Sequence, residues 1–458
     1  MHRAMLARIA LATCLLLAAL PAAGARAAPV SSHAMVYACC TPFEMKERIF
    51  AESAALGAEF VRVDVQVNDV FENDSGGPAP VPDWRGLDEV IALARQYRVK
   101  VLGILLNPPS WLSSCPERLP DHVRCPASDP AEFGRLAGEI AAHAGSAIDQ
   151  WEIINEPDGR WAFEGSAEEY GQMLVAANAA IKARAPEDKV VLGGVMRPHE
   201  PAWLAQVFGL PGAARSFDIA NVHLRGSVAA VVSRFSEFRA RLAGYGFNGP
   251  VWVTEHGYPA DPAFQTDPAF TGGDAGQAGY LTQSLVGLGE AGAGQIFVTL
   301  RDQGTAGEYA TEGLEHLVEA PGYAVQRRPA FAAVKRVAEG WDQIMAWRGE
   351  QRQHEHLQRM YEAAAGLARV QAIVTRQRLR QARALAAETR RRLPRAARGD
   401  AGSVVPPRAD RELAKAQARV ARFRREFGWH KAVLDDYRLR GALHTAAVGD
   451  LMARIAGP

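Results

Sequence analysis

Two short runs of this chain each carry a glutamate out of an apolar stretch. Trp151-Glu152-Ile153-Ile154-Asn155-Glu156-Pro157 is hydrophobic enough to be a buried strand, yet it closes in an amide, a carboxylate and a proline. Far downstream, Val251-Trp252-Val253-Thr254-Glu255-His256-Gly257 repeats the arrangement. Buried parallel strands read as near-continuous apolar runs, and proline has no N–H to extend a ladder. Each strand therefore stops where its polar residues begin and delivers Glu156 or Glu255 to its end. Two carboxyls that meet across one site are what glycosidic-bond hydrolysis requires. At about 5–5.5 Å apart, one serves as acid/base and the other as nucleophile; a wider gap admits a water. Either glutamate alone could be a helix cap or an ion-pair partner, and the shared context is what argues for chemistry. Glu152 alternates onto the other face of its strand and is expected to pair inside the fold.

The elements needed to bring these ends together recur along the chain. Strand-like runs are expected at Met35–Cys39, Glu59–Val65, Val99–Leu106, the Trp151 run, Val190–Val195, Phe217–Leu224, Val251–Thr254 and Gln295–Leu300. Helical periodicity falls between them at Phe43–Leu56, Leu87–Tyr97, Pro130–Ala144, Ala167–Arg184, Val228–Leu242 and Ala275–Gly289, with Pro329–Ala338 closing the series. Alternation of this kind implies a parallel sheet, and eight units close as a (β/α)8 TIM barrel of class α/β. No Gly-rich phosphate loop supports an open doubly wound sheet instead. In such a barrel, functional residues gather at the C-terminal strand ends, where Arg62, Asn155, Glu156, His223 and Glu255 all fall.

The 458 residues exceed one ordinary core, and their 48% hydrophobic and 22% charged content is that of a globular protein rather than a disordered one. A net charge of +1 hides an asymmetry. Arg348–Pro458 holds 24 Lys+Arg against 11 Asp+Glu, whereas residues 1–347 hold 28 against 40. The expected organisation is a leader over 1–28, a barrel over 29–345 and a basic helical region over 346–458, with a flexible break at 394–408. In that last region Ala416, Val420, Phe423, Phe427, His430, Leu434, Tyr437, Gly441, His444, Val448, Leu451 and Ile455 follow a 3-4 spacing, a heptad signal for an antiparallel hairpin or coiled coil. The leader shows Arg3 and Arg8, an apolar Ile9–Leu20 too short to span a bilayer, and a small-x-small Ala25-Arg26-Ala27, the marks of a signal peptide. Export leaves four cysteines in an oxidising compartment. Cys115 with Cys125 is the simplest pair, leaving Cys39 with Cys40; cross-pairing is the alternative.

Asn155-Glu156-Pro157 and Thr254-Glu255 resemble the corresponding strand ends of the clan-A retaining glycoside hydrolases, most closely family 39 and related family-5-like bacterial secreted enzymes. The Arg62 of strand two, Pro108-Pro109-Ser110-Trp111 after strand three, and Glu312-Gly313-Leu314 followed by Arg328-Pro329-Ala330-Phe331 extend the similarity over about Met35–Ala338. The resemblance implies Glu156 as general acid/base, Glu255 as nucleophile, Asn155 on the sugar 2-hydroxyl, Arg62 beside the nucleophile, and His223 orienting it or lining the subsite. Trp111, Trp161 and Tyr258, in loops on the same face, are candidates for stacking on sugar. Two departures concern substrate. Leu224-Arg225-Gly226 follows His223 where a Tyr is usual, and Leu300-Arg301-Asp302 stands where a Trp is usual, so Arg301 suggests a charged or modified sugar. The expectation is a bacterial hydrolase exported to the periplasm or beyond, acting on a poly- or oligosaccharide such as an exopolysaccharide. No metal or organic cofactor is implied. Its alternatives are a transglycosylase, which would use the same residues, and a non-catalytic glycan-binding or scaffold protein. The basic helices suit self-association or contact with an anionic surface or polysaccharide. Nucleic acid is not an expected partner, and no later stretch is apolar enough to span a membrane.

Overall fold

The computed structural model describes residues 29–73, 75–117, 121–304, 306–318, 324–392 and 407–456. The expected signal peptide lies outside these residues, as does the expected break except for its last two positions. Eight parallel strands form one sheet: β1 (Val30–Tyr37), β2 (Phe60–Gln66), β3 (Lys100–Leu106), β4 (Gln150–Ile153), β5 (Lys189–Leu192), β6 (Ala220–His223), β7 (Val251–His256) and β8 (Ile296–Thr299). They pair in the order β5-β4-β3-β2-β1-β8-β7-β6. Parallel bridges Val191↔Ile219 and Val195↔Val222 join β5 to β6 and close the barrel.

The outer helices are α1 (Phe43–Leu56), α2 (Arg85–Tyr97), α3 (Pro130–Ala144), α4 (Ala167–Arg184), α5 (Pro201–Gly209), α6 (Val228–Gly244), α7 (Asp274–Glu290) and α8 (Pro329–Glu339). Local chemistry explains their ends. Asp129 caps α3 by accepting from the N–H groups of Ala131 and Glu132, with Pro130 opening the helix. Ser166 and Glu169 form a reciprocal capping box at α4. Inside the barrel, Phe60, Leu102, Val191, Ile219, Trp252 and Phe297 make an apolar floor, with the Phe60 and Trp252 rings 5.1 Å apart. Along β2 the buried Arg62 follows Phe60, so the charged layer of the mouth lies directly above this floor.

The expected first strand began at Met35; β1 starts at Val30. Its Ser31 and Ser32 look wrong for a core strand, but both are fully buried and bonded, Ser31 Oγ to Gln295 and Ser32 Oγ to Ser53. Helix α5 and the hairpin β9 (Glu315–Val318) with β10 (Ala324–Arg327) were not expected. Both disulfides are local, Cys39–Cys40 and Cys115–Cys125. No helix among the described residues is long and apolar enough to cross a membrane.

The chain divides into two compact units between Asp342 and Gln343. The second is built from α9 (Trp341–Arg392) and α10 (Pro407–Ala456). His354 meets His444 at 2.9 Å and the Tyr361 ring lies 6.2 Å from that of Tyr437, which fixes the two helices as antiparallel. Ala368, Leu379, Ala382 and Ala416 are buried, while most charged side chains face outward.

Candidate active site

The two glutamates reach the barrel mouth by different backbone routes. Beyond β4 the chain turns sharply, with Ile154 at φ 63° and Glu156 at φ 44°, both left-handed. A β-branched residue there is strained, and surrounding contacts must hold it. Ile154 N–H still donates to Leu105 O at 3.0 Å, which anchors the turn. Gly193 makes room for it, since a Cβ at that position would lie 2.5 Å from Ile154 O. On β7 the device is a bulge. The register against β6 slips between Val222 and His223, and that against β8 between Val253 and His256. An extra residue turns the strand, and Glu255 faces inward.

Arg62 joins the two ends. Its buried guanidinium donates to both oxygens of Glu152 at 3.0 and 2.9 Å, to Asn155 Oδ1 at 2.7 Å and to Glu255 Oε1 at 2.8 Å. Glu152 thus pairs inside the barrel, where it also accepts from Gly194 N–H at 3.1 Å. Around Glu255 stand His33 Nε2 at 3.8 Å, His223 Nδ1 at 3.6 Å and Arg225 Nη2 at 3.8 Å. Burial pushes the Glu255 carboxyl up, but the positive field of His223, His33, Arg62 and Arg225 outweighs it and holds the group well below the carboxylate range. Burial lowers His33 itself to about 3, so at neutral pH its ring is uncharged, which leaves His223 and the two arginines as the causes that act on Glu255.

Glu156 has a different shell. Trp161 Nε1–H donates to Oε2 at 2.6 Å, and His223 Nδ1 lies 2.8 Å from Oε1. Burial raises this carboxyl, while His223 and Trp161 pull it below its ordinary value. The His223 proton can be traced. Thr254 Oγ1 gives its hydrogen to Asn221 Oδ1 at 2.8 Å, so it accepts from His223 Nε2–H at 3.0 Å. With Nε2 a donor, the Nδ1–Oε1 contact holds one proton, either on Glu156 facing a neutral ring or on an imidazolium facing a carboxylate. Gly194 is required here, because a Cβ would come within 2.1 Å of His223 Nε2.

One oxygen of Glu156, one of Glu255 and a nitrogen of His223 lie within 4.8 Å of one another. By donor type this trio could take a divalent cation. Arg62 already occupies Glu255 Oε1 and Arg225 adds a second positive charge, which suits proton transfer better than a metal. A second cluster, Cys39, Cys40 and Asp69, has its sulfurs joined in a disulfide and offers no thiolate.

Several expected contacts fall elsewhere. Tyr258 is buried, stacked on Tyr280 at 3.9 Å, with its hydroxyl accepting from Asp267 N–H at 2.9 Å, so its ring is closed to a sugar. Arg301 points to Met45 Sδ at 2.7 Å and does not touch the pair. Trp111 is partly buried and donates to Phe71 O at 3.4 Å; Trp161 is 52% exposed beside Glu156. Three participants were missed. His33 sat in a stretch not read as strand. Arg225 was noted only as a departure, although it clamps the buried Glu312 through two 2.9 Å bonds. Thr254 precedes Glu255 in its motif, and nothing local in the sequence signals its bond to His223.

No protein-family model matches the chain, and no curated protein does. Solved structures do. A family 39 glycoside hydrolase from the gut symbiont Bacteroides cellulosilyticus WH2 is similar at 15% identity and TM-score 0.52, over 68% of this chain and 64% of that one. A GH39 beta-xylosidase from Caulobacter crescentus is similar at 16% identity and TM-score 0.50, over 68% and 72%. An exo-beta-1,4-mannosidase from Opitutaceae bacterium strain TAV5 is similar at 17% identity and TM-score 0.50, over 70% and 61%. The chain spans less than two thirds of the length of the first and third of these. At such identities the likeness is one of fold: this chain shares a (β/α)8 barrel with these glycoside hydrolases.

Proposed function

We propose that this chain is an exported glycoside hydrolase that cleaves β-linked poly- or oligosaccharide with retention of configuration. The observation that carries the reading is the glutamate pair itself, oxygens within 4.8 Å across the mouth, one held by an arginine and the other by a histidine and a tryptophan. That short spacing supports double displacement over the wider carboxyl gap that inversion uses.

Glu255 is the nucleophile because Arg62 contacts it and Arg225 lies near, so it stays ionised. Glu156 is the acid/base because no arginine touches it and a proton resides between its Oε1 and His223 Nδ1. Glu255 forms the bond to the anomeric carbon as Glu156 gives its proton to the leaving oxygen. Glu156 then takes a proton from water, which displaces Glu255 and releases the sugar. Arg62 accounts for Asn155 Oδ1, so the Asn155 NH2 is left to donate to a sugar hydroxyl. Trp161 offers an exposed ring beside the acid for an adjoining sugar. The basic helices would serve self-association or attachment to an anionic polymer.

A 2-fluoro glycosyl fluoride tests the reading. It should form a stable ester on Glu255, seen by mass spectrometry of peptides. Stoichiometric reaction at another residue, or none with any β-configured reagent, would refute the assignment.

A further inference from the structure

Asp64 is a carboxyl at the mouth that this reaction does not use. Along β2, Phe60, Arg62 and Asp64 fall on the barrel interior: Phe60 in the apolar floor, Arg62 in the ion-paired layer above, Asp64 one step nearer the opening. Asp64 is partly exposed where Arg62 is fully enclosed. It sits in register between Tyr37 of β1 and Ile104 of β3.

The glutamates around the pair have partners. Arg62 serves Glu152 and Glu255, His223 and Trp161 serve Glu156, and Arg225 and Thr299 serve Glu312. Among the described residues the Asp64 side chain has no hydrogen bond or ion pair; only its backbone oxygen is engaged, by Ala38 N–H at 2.9 Å. Burial raises its carboxyl, Arg62 pulls it back, and Glu255 with Glu152 raise it again, leaving it at about 7. No nearby cation is available to relieve it. Arg62 and Arg225 are engaged by glutamates, and Arg301 contacts Met45. With Glu156 and His223 sharing a proton, two guanidinium groups face the three carboxylates Glu152, Glu255 and Glu312 before Asp64 is added, and the mouth keeps a net negative charge.

On the reading that Glu156 and Glu255 cleave a glycoside, we propose that Asp64 is a specificity-determining residue whose partner is the free ammonium group of an amino sugar that is not N-acetylated. An ammonium would give Asp64 a charge-assisted hydrogen bond and offset the surplus negative charge. A hydroxyl brings no charge, and an acetamide brings bulk without charge. The acidic balance of residues 1–347, 28 Lys+Arg against 40 Asp+Glu, would draw such a polycation toward the barrel.

The test is a binding titration of the full chain carrying Glu156→Gln to block turnover, at pH 7, where a substantial share of Asp64 is ionised, with and without Asp64→Asn. The probes are β-1,4-linked oligomers of glucosamine, N-acetylglucosamine and glucose, which differ only at carbon 2. Glucosamine oligomers should bind at least about 10-fold tighter than the other two, and Asp64→Asn should remove that preference while leaving glucose oligomers within about 2-fold. Equal binding of the three series, absent binding of the amine series, or an amine preference untouched by Asp64→Asn would overturn the proposal. Amine-selective binding without covalent labelling of Glu255 would support this assignment and count against hydrolysis.

Discussion

The ends of β4 and β7 present the same side chain to the same opening, yet almost nothing else about them is shared. The β4 end leaves the sheet through two left-handed residues and surrounds its carboxyl with an imidazole and an indole. The β7 end stays in the sheet, turns on a bulge, and sets its carboxyl against two arginines. The difference teaches how identical groups take opposite roles. A carboxylate facing guanidinium groups keeps its negative charge, since an arginine does not give up its proton in a protein. One facing His223 exchanges a proton with a neighbour that can hold it.

Replacing Glu255 with Gln tests the fixed anion and should have the largest effect. Turnover should fall by about 10⁴-fold or more while circular dichroism still reports the intact barrel. Activity within 10² of the parent would end the asymmetry between the two ends. Glu156→Gln should cost about 10²–10⁴-fold on substrates with sugar leaving groups. On aryl glycosides with acidic leaving groups bond cleavage needs little protonation, so the first step should be nearly spared. An equal loss on both, in pre-steady-state bursts, would show that Glu156 is not the acid.

Arg62→Met tests what holds the β7 anion. It leaves Glu152 buried without its partner, and about 3–5 kcal/mol of stability should be lost in urea titrations. Glu255 is held below its ordinary value, so its contribution to stability is complete above that value and lost as pH falls below it. With Arg62 gone, the folded-state value rises towards the ordinary one, so this pH-dependent contribution should shrink, and the acid limb of the rate profile should move upward. The smallest change is expected from Thr254→Val, which removes the acceptor that fixes His223 Nε2–H. About a 10-fold fall in kcat should follow, with a shifted basic limb and little change in Tm. An unshifted profile would mean that Thr254 merely packs.

Both glutamates were legible because a polar residue at the end of an apolar strand stands out at any register. The barrel was legible for the same reason, through the regular recurrence of Val- and Ile-rich runs. What lay hidden depends on register and on partners distant in sequence. His33 follows two serines whose burial is tolerated only because Gln295 and Ser53 bond them. Arg225 gains meaning from Glu312, far away on a loop, and no local pattern links them. Tyr258 failed in the other direction: its place after Glu255 put it on the right face, but the Tyr280 stack draws it into the wall. In the helical hairpin the second helix was readable from its 3-4 apolar spacing and the first from helix-forming composition alone.

Arg62 also bears on the order in which the chain can fold. Its partners lie 90 residues away on β4 and 193 residues away beyond the β7 bulge. A guanidinium cannot leave water cheaply until its carboxylates arrive. A nascent chain that has made only the first strands must therefore keep β2 hydrated at its upper end. The apolar floor can collapse early, while the charged layer above it locks only when β7 docks. Contacts of such long sequence separation place barrel closure among the slow steps. Completing the site and completing the fold would then be one event, and partly folded chains would have no working mouth.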